Sequence, residues 1–124
     1  MKFPTLAILA LGVMTAPAFA NGDAALGEQV FKKCAACHSI ADNANRVGPS
    51  LLGVVGRKTA SVEGFSYSDS MKAFAATGAV WDEKTLDTYL TNPRATVAAT
   101  KMAFPGLKDQ ADRDNLIAFL KSKM

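Results

Sequence analysis

Histidine occurs once in this 124-residue sequence, tryptophan once, and cysteine and tyrosine twice each. With one histidine, no metal can be held between two imidazoles. A structural zinc site wants four Cys or His ligands, and only Cys34, Cys37 and His38 are present. Long apolar runs are also missing. The longest, Leu6 to Ala16, is broken by Gly12 and Thr15 and falls short of the roughly 20 residues that cross a bilayer. Positive charge is mild, with a net charge of +3. The lysines are spread along the chain rather than gathered into the basic stripe of a nucleic-acid binder, so no nucleic-acid partner is expected. The sequence contains no internal repeat, low-complexity tract or linker.

The N-terminus reads as an export signal. Met1-Lys2 makes a short basic start, the apolar run follows, and Ala18-Phe19-Ala20 supplies the small-x-small pattern cut by signal peptidase. Cleavage is expected before Asn21. Residues 1–20 are then a removed secretory peptide and residues 21–124 a single exported domain, in a bacterium a periplasmic one, with no stable membrane insertion after cleavage.

Both cysteines and the histidine fall in "KKCAACHSI", residues 32–40. A Cys34–Cys37 disulfide would close a very short loop, where the stabilisation is least. A thioredoxin-like motif expects a βαβ setting, whereas "GEQVFKKCAACHSI" reads as helix with no strand before it. Cys-x-x-Cys-His is the attachment signature of c-type haem, and this reading uses all three residues. A spacing of three puts Cys34 and Cys37 on one helical face, where their thiols can add to the two haem vinyl groups. His38 then offers its imidazole as the proximal iron ligand. On the other side of the iron the candidates are Met71, Met102, Met124, a lysine or an open position. Met102 stands out because "ATKMAFPGL" is an irregular loop that can carry a thioether to a metal without helical register.

Helix signals occur in four places, and the fold class is all-α. Asp23 caps a first helix with Gly27, Val30, Phe31 and Cys34 at helical spacing. Asp69 or Ser70 opens a short one that ends near Gly78. Asp82 opens a third, with Leu86, Tyr89 and Leu90 on one face and a stop at Pro93. The last runs from about Asp109 to Lys121, with Leu116, Ile117 and Leu120 buried. Residues 40–68 read as loop, marked by Gly48-Pro49, Gly53, Gly56 and Gly64. So loop-rich a chain would be poorly cored unless a large apolar cofactor filled its centre.

Beyond "CAACH", the stretches "VGPSLLGVVGRKT", "GFSYSD", Trp81, "LDTYLTNPR", "TKMAFPG" and "LIAFLK" resemble the class I c-type cytochromes, the family of bacterial cytochrome c2 and mitochondrial cytochrome c. The resemblance covers nearly all of residues 21–124. It implies a small cytochrome c fold of about four helices and long loops wrapped around one covalently attached haem c, with the last helix crossing the first at Gly27. It also implies Met102 as the distal iron ligand opposite His38, and Pro49 accepting the His38 ring N–H. Arg57, Tyr67 and Trp81 would hold a haem propionate, and Tyr89 and Thr100 would steady the Met102 side. The chain departs from mitochondrial relatives at Ala98-Ala99, where they carry Pro-Gly, and at Met71, where many carry Asn. A looser distal loop and a lost polar contact are the corresponding expectations.

The function implied is one-electron transfer by a monomeric carrier rather than an enzyme. Its partners would be a bc1-type complex upstream and an oxidase, reductase or photosynthetic reaction centre downstream. Lys32, Lys33, Lys58, Lys101 and Lys108 flank the segments that should surround the haem edge and are candidates for transient docking. A haem enzyme or gas sensor with an open distal position, and a non-haem redox or structural module, are the competing classes.

Overall fold

The computed structural model describes residues 1, 7–12 and 22–124. The expected cleavage point between Ala20 and Asn21 lies outside the described residues. Five helices are present among them: α1 (Ala24–Phe31), α2 (Asp69–Ala76), α3 (Glu83–Thr91), α4 (Pro93–Thr96) and α5 (Gln110–Lys121). There is no strand among the described residues, only an isolated antiparallel bridge between Lys58 and Val80. No described helix is long and apolar enough to cross a membrane.

Side-chain caps start four of the helices. The Asp23 carboxylate accepts the N–H groups of Ala25 and Leu26 at 2.8 and 3.1 Å, satisfying two of the donors that a helix start leaves unpaired. Asp82 accepts the Thr85 N–H at 2.8 Å and Asp109 that of Ala111 at 2.9 Å, both as the sequence implies. α2 differs. Its cap is Ser68, whose hydroxyl accepts the Met71 N–H at 3.1 Å, one position before the expected Asp69 or Ser70. Asp69 instead lies in the first turn, where a carboxylate is favoured by the helix dipole. Pro93 also does more than end α3. It occupies the first position of the one-turn α4, where its fixed φ and missing N–H carry no penalty, and this is the fifth helix.

α1, α3 and α5 form the frame. The rings of Phe31 on α1 and Phe119 on α5 meet at 5.3 Å between centroids. Leu86, Tyr89 and Leu90 of α3 are buried, as are Leu116, Ile117, Phe119 and Leu120 of α5. Arg113, a charged residue on the same helix, is buried with them. Trp81 packs against Tyr89 at 4.9 Å and Phe74 at 5.9 Å.

Residues 40–68 are irregular, as their glycines imply, and hydrogen bonds clip them to the frame. Leu51 N–H donates to the Ser39 carbonyl, Gly53 N–H to that of Lys123 and Gly56 N–H to that of Trp81, each at 2.8 Å. Arg57 and Trp81 are joined directly by a Trp81 N–H to Arg57 carbonyl bond of 2.8 Å. The long loop is therefore fastened near the end of α5 and just before α3, and these ties set the wall on which Pro49 and Arg57 stand.

Candidate haem-binding site

Consecutive turns carry the chain off the end of α1 through the cysteine pair. Cys34 N–H donates to the Phe31 carbonyl at 2.7 Å, and the N–H groups of Cys37 and His38 both donate to the Cys34 carbonyl at 3.0 Å. Cys34, Cys37 and His38 all line one cavity of about 310 Å³. The two thiols are free rather than joined. Burial, reinforced by the neighbouring Cys37 and opposed by Lys33, pushes the Cys34 thiol up to about 11, so it stands protonated at neutral pH.

His38 is held in one orientation. Its Nδ1 lies 2.7 Å from the Pro49 carbonyl oxygen, which can only accept, so the proton belongs on Nδ1 and Nε2 keeps its lone pair. Burial lowers the imidazole pKa, with the Pro49 bond opposing and the Arg57 charge adding to the fall. A neutral imidazole with a free Nε2 is what a metal requires. Gly48 is a residue of this site that the sequence reading marked only as a loop punctuator. A side chain there would overlap the His38 ring, its Cβ lying 2.7 Å from Nδ1. A glycine directly before Pro49 was the available signal.

Met102 lines the same cavity and is half-buried against the core. Its N–H donates to the Thr100 hydroxyl at 3.2 Å, closing a tight local turn. Tyr89 is buried on the cavity wall, and burial raises its phenol pKa, the Thr100 side chain opposing. Ala99 takes a left-handed φ of 52°, the conformation that glycine adopts without strain. The Ala98-Ala99 departure thus places a backbone cost in this loop. Met71 also lines the cavity and packs against the core, so an apolar contact occupies the place of the anticipated polar one.

Arg57, Tyr67 and Trp81 converge on the cavity as well. Arg57 Nη1 donates to the carbonyls of Ser50 at 3.0 Å and Leu52 at 3.4 Å, while its Nε is buried without a partner. Burial lowers the Arg57 pKa. The Tyr67 hydroxyl accepts the Val62 N–H at 3.0 Å, which leaves its own proton free to donate elsewhere. Phe31, Leu51, Val54, Phe65, Leu86, Leu90, Leu116 and Leu120 supply most of the remaining apolar lining. The sequence marks Phe31, Leu86, Leu90, Leu116 and Leu120 as apolar helix-face positions without assigning them to the cofactor, since nothing local distinguishes a leucine facing a cofactor from one facing a neighbouring side chain. Lys33 and Lys101 also reach the lining, and Lys32, Lys33, Lys58, Lys101 and Lys108 are all exposed.

An apolar chamber with two free thiols, a neutral imidazole, a thioether and an orphaned buried guanidinium N–H fits an amphiphilic iron porphyrin with carboxylate arms. Such a site on an α1–α3–α5 frame defines the c-type cytochromes. The chain belongs to the cytochrome c family: the family model described as Cytochrome c matches residues 24–123. It is 51% identical over 112 residues to cytochrome c2 of Rhodomicrobium vannielii, covering 90% of this chain and 87% of that one. It is 49% identical over 105 residues to cytochrome c of Stellaria longipes, covering 83% and 94%. Among solved structures, it is similar to cytochrome cH from Methylobacterium extorquens, at 44% identity and a TM-score of 0.75 over 82% of this chain and 100% of that one. Cytochrome c2 from Rhodospirillum centenum gives a TM-score of 0.78 at 37% identity, covering 82% and 98%. The chain is thus an electron carrier with one covalently bound haem c and redox-protein partners.

Proposed function

We propose that this chain is a one-electron carrier of the bacterial periplasm, matured by removal of residues 1–20, with its haem iron held between His38 and Met102. The observation that carries this reading is that the lone imidazole and the Met102 thioether open onto the same apolar cavity as both thiols. Bound there, haem c supplies the iron that alternates between ferric and ferrous states. Cys34 and Cys37 would hold it, each thiol adding across one of its vinyl groups to give a thioether. Pro49 keeps the His38 proton on Nδ1, so Nε2 stays available in both redox states. Arg57 offers its unpartnered Nε–H to a propionate, with Tyr67 and Trp81 beside it, and Tyr89 and Thr100 steady the Met102 segment. As a ligand the Met102 thioether would favour the softer ferrous state, and the apolar walls would disfavour the extra positive charge of the ferric one; both would raise the potential. Each ~59 mV is a factor of ten in a one-electron equilibrium.

The chain carries this electron from a bc1-type complex to an oxidase, a reductase or a photosynthetic reaction centre, and the exposed lysines near the cavity make the transient contacts. It is a carrier rather than an enzyme, because His38 and Met102 would together occupy both axial positions and leave no open site on the iron for a substrate. Carbon monoxide tests the ligation. The ferrous parent is expected to resist it, and Met102→Ala to bind it readily. Equally fast binding by the parent would mean an open distal site and favour a gas sensor or haem enzyme.

A further inference from the structure

We propose that Arg113 is a positioning residue for Met102: its buried guanidinium, ion-paired to Asp87 on α3, clamps the carbonyls of Leu107 and Lys108 and so fixes the C-terminal foot of the segment that carries Met102. The inference rests on the reading of Met102 as an iron ligand.

Main-chain hydrogen bonds fasten the segment between Val97 and Leu107 only at its two ends; within it the ties are from side chains, Thr100 meeting Tyr89 and Lys101 Nζ donating to the Ser66 carbonyl at 3.5 Å. Val97 N–H donates to the Pro93 carbonyl at 2.9 Å and Leu107 N–H to that of Leu90 at 2.7 Å. Among the described residues, no backbone N–H from 98 to 106 donates to another main-chain group. The Met102 N–H reaches only the hydroxyl of Thr100, two residues away. Where the thioether sits therefore depends on the feet as well as on the Tyr89–Thr100 contact, and Val97 and Leu107 are both buried.

The second foot bears a buried cation. Arg113 Nε donates to Asp87 Oδ1 at 2.8 Å, Nη1 to the Leu107 carbonyl at 2.8 Å and the Lys108 carbonyl at 3.2 Å, and Nη2 to Gln110 Oε1 at 2.7 Å. Gln110 Nε2 in turn donates to Asp87 Oδ1 at 2.9 Å. A planar guanidinium offers its donors in fixed directions, so four bonds to α3, α5 and the loop leave it one geometry. Arg113 is 7% exposed, and in so dry a setting bonds to a charged donor are stronger than on the surface. Gly106 closes the same joint: its φ is 107° and a Cβ there would lie 2.9 Å from the Thr91 carbonyl carbon. Only four residues lie between Met102 and Leu107, so slack at this foot passes to the sulfur.

The test uses mature, haem-loaded protein: Arg113→Met, Arg113→Lys, the double variant Arg113→Met with Asp87→Leu, and Phe119→Leu as a destabilised comparison away from the cavity. Imidazole is mixed with the ferric form, and the rate at saturating imidazole reads the opening of the Met102 segment. Hydrogen exchange at the Leu107 amide reads the foot itself. Arg113→Met should raise the plateau rate tenfold or more and speed Leu107 exchange by a similar factor, with Arg113→Lys in between. The double variant replaces a buried ion pair by apolar groups, a change that often preserves stability; it should recover the unfolding midpoint yet keep the raised plateau. If Arg113→Met does not accumulate as holoprotein, Asp87→Asn carries the same test and should raise the plateau several-fold. The proposal is overturned if Phe119→Leu raises the plateau as much, or if the double variant returns to the parent plateau with its midpoint. A parent that saturates and is freed by Met102→Ala, with every Arg113 variant on the parent plateau, removes the Arg113 role alone. A parent rate that rises linearly with imidazole and ignores Met102→Ala removes the Met102 ligation as well.

Discussion

The α-carbon of Gly27 on α1 faces the main chain of Asn115 on α5 so closely that a Cβ on Gly27 would lie 2.6 Å from the Asn115 carbonyl carbon and 2.7 Å from the Phe119 Cβ. The crossing of the two terminal helices is built on that contact. What obstructs a side chain there is backbone and a Cβ, neither of which can swing aside.

Gly27→Ala is therefore expected to destabilise the holoprotein. Alanine is favoured over glycine by about 1 kcal/mol within a helix, but overpacking a fitted contact costs about 1–3 kcal/mol, and the rigid obstruction puts this case at the upper end. A net loss of about 2 kcal/mol in urea denaturation is anticipated. An unchanged midpoint would mean that the helices slide apart freely.

Folding should depend on haem attachment. The cavity of about 310 Å³ is walled by core residues including Phe31, Leu86, Leu90, Leu116 and Leu120. At about 24 cal/mol per Å³, leaving it unfilled costs up to about 7 kcal/mol, comparable to the whole stability of a small domain. The Cys34→Ser, Cys37→Ser chain expressed without haem should unfold gradually in calorimetry. A sharp thermal transition would sink the idea.

The start of α3 carries a pH-dependent contribution. The Thr85 side chain and main chain both hydrogen-bond the Asp82 carboxylate and hold its pKa below the usual range. The sign follows directly: a carboxyl depressed in the folded state stabilises fully above its unfolded value of about 3.9, and loses that contribution as pH falls through the folded value. Asp82→Ala should cost about 1 kcal/mol at pH 7, the usual worth of an N-cap. The gap between variant and parent should narrow as the pH drops below about 4. A constant gap across that range would assign the effect to helix propensity instead of the charged cap.

Docking should be steered by charge. Lys33 and Lys101 reach the cavity lining, whereas the Lys123 ammonium lies 5.5 Å over the Phe119 ring on the C-terminal tail. Redox contacts are small, commonly below about 1,200 Å², so their speed depends on long-range attraction, which salt screens within ~8 Å at physiological ionic strength. The second-order rate with an acidic redox partner should fall steeply as salt rises. At low salt Lys101→Glu should slow it far more than Lys123→Glu. Equal losses, or a rate indifferent to salt, would leave the lysine surface without a role.

What the sequence determined by itself was local chemistry. Asp23, Asp82 and Asp109 announce helix starts because a short carboxylate bonds N–H groups two or three residues on, and that geometry needs no distant partner. The Cys34–Cys37–His38 spacing brings the reactive groups onto neighbouring turns for the same reason. Gly27 signals a close approach, since only a missing side chain permits one. Tertiary structure decided the rest. "SDS" at 68–70 offers three capping residues in a row, and only the folded chain shows that Ser68 is the one whose hydroxyl accepts a helix N–H, that of Met71. Pro93 reads equally well as a stop or a start, and the chain uses it as both. Arg113 and Asp87 stand 26 residues apart, with nothing in either neighbourhood to pair them. They meet because α3 and α5 pack side by side, and burial turns an ordinary surface pair into a clamp. The cavity wall is scattered from Phe31 to Leu120, since apolar burial is non-directional and each of its residues acquires a role only from the others around it.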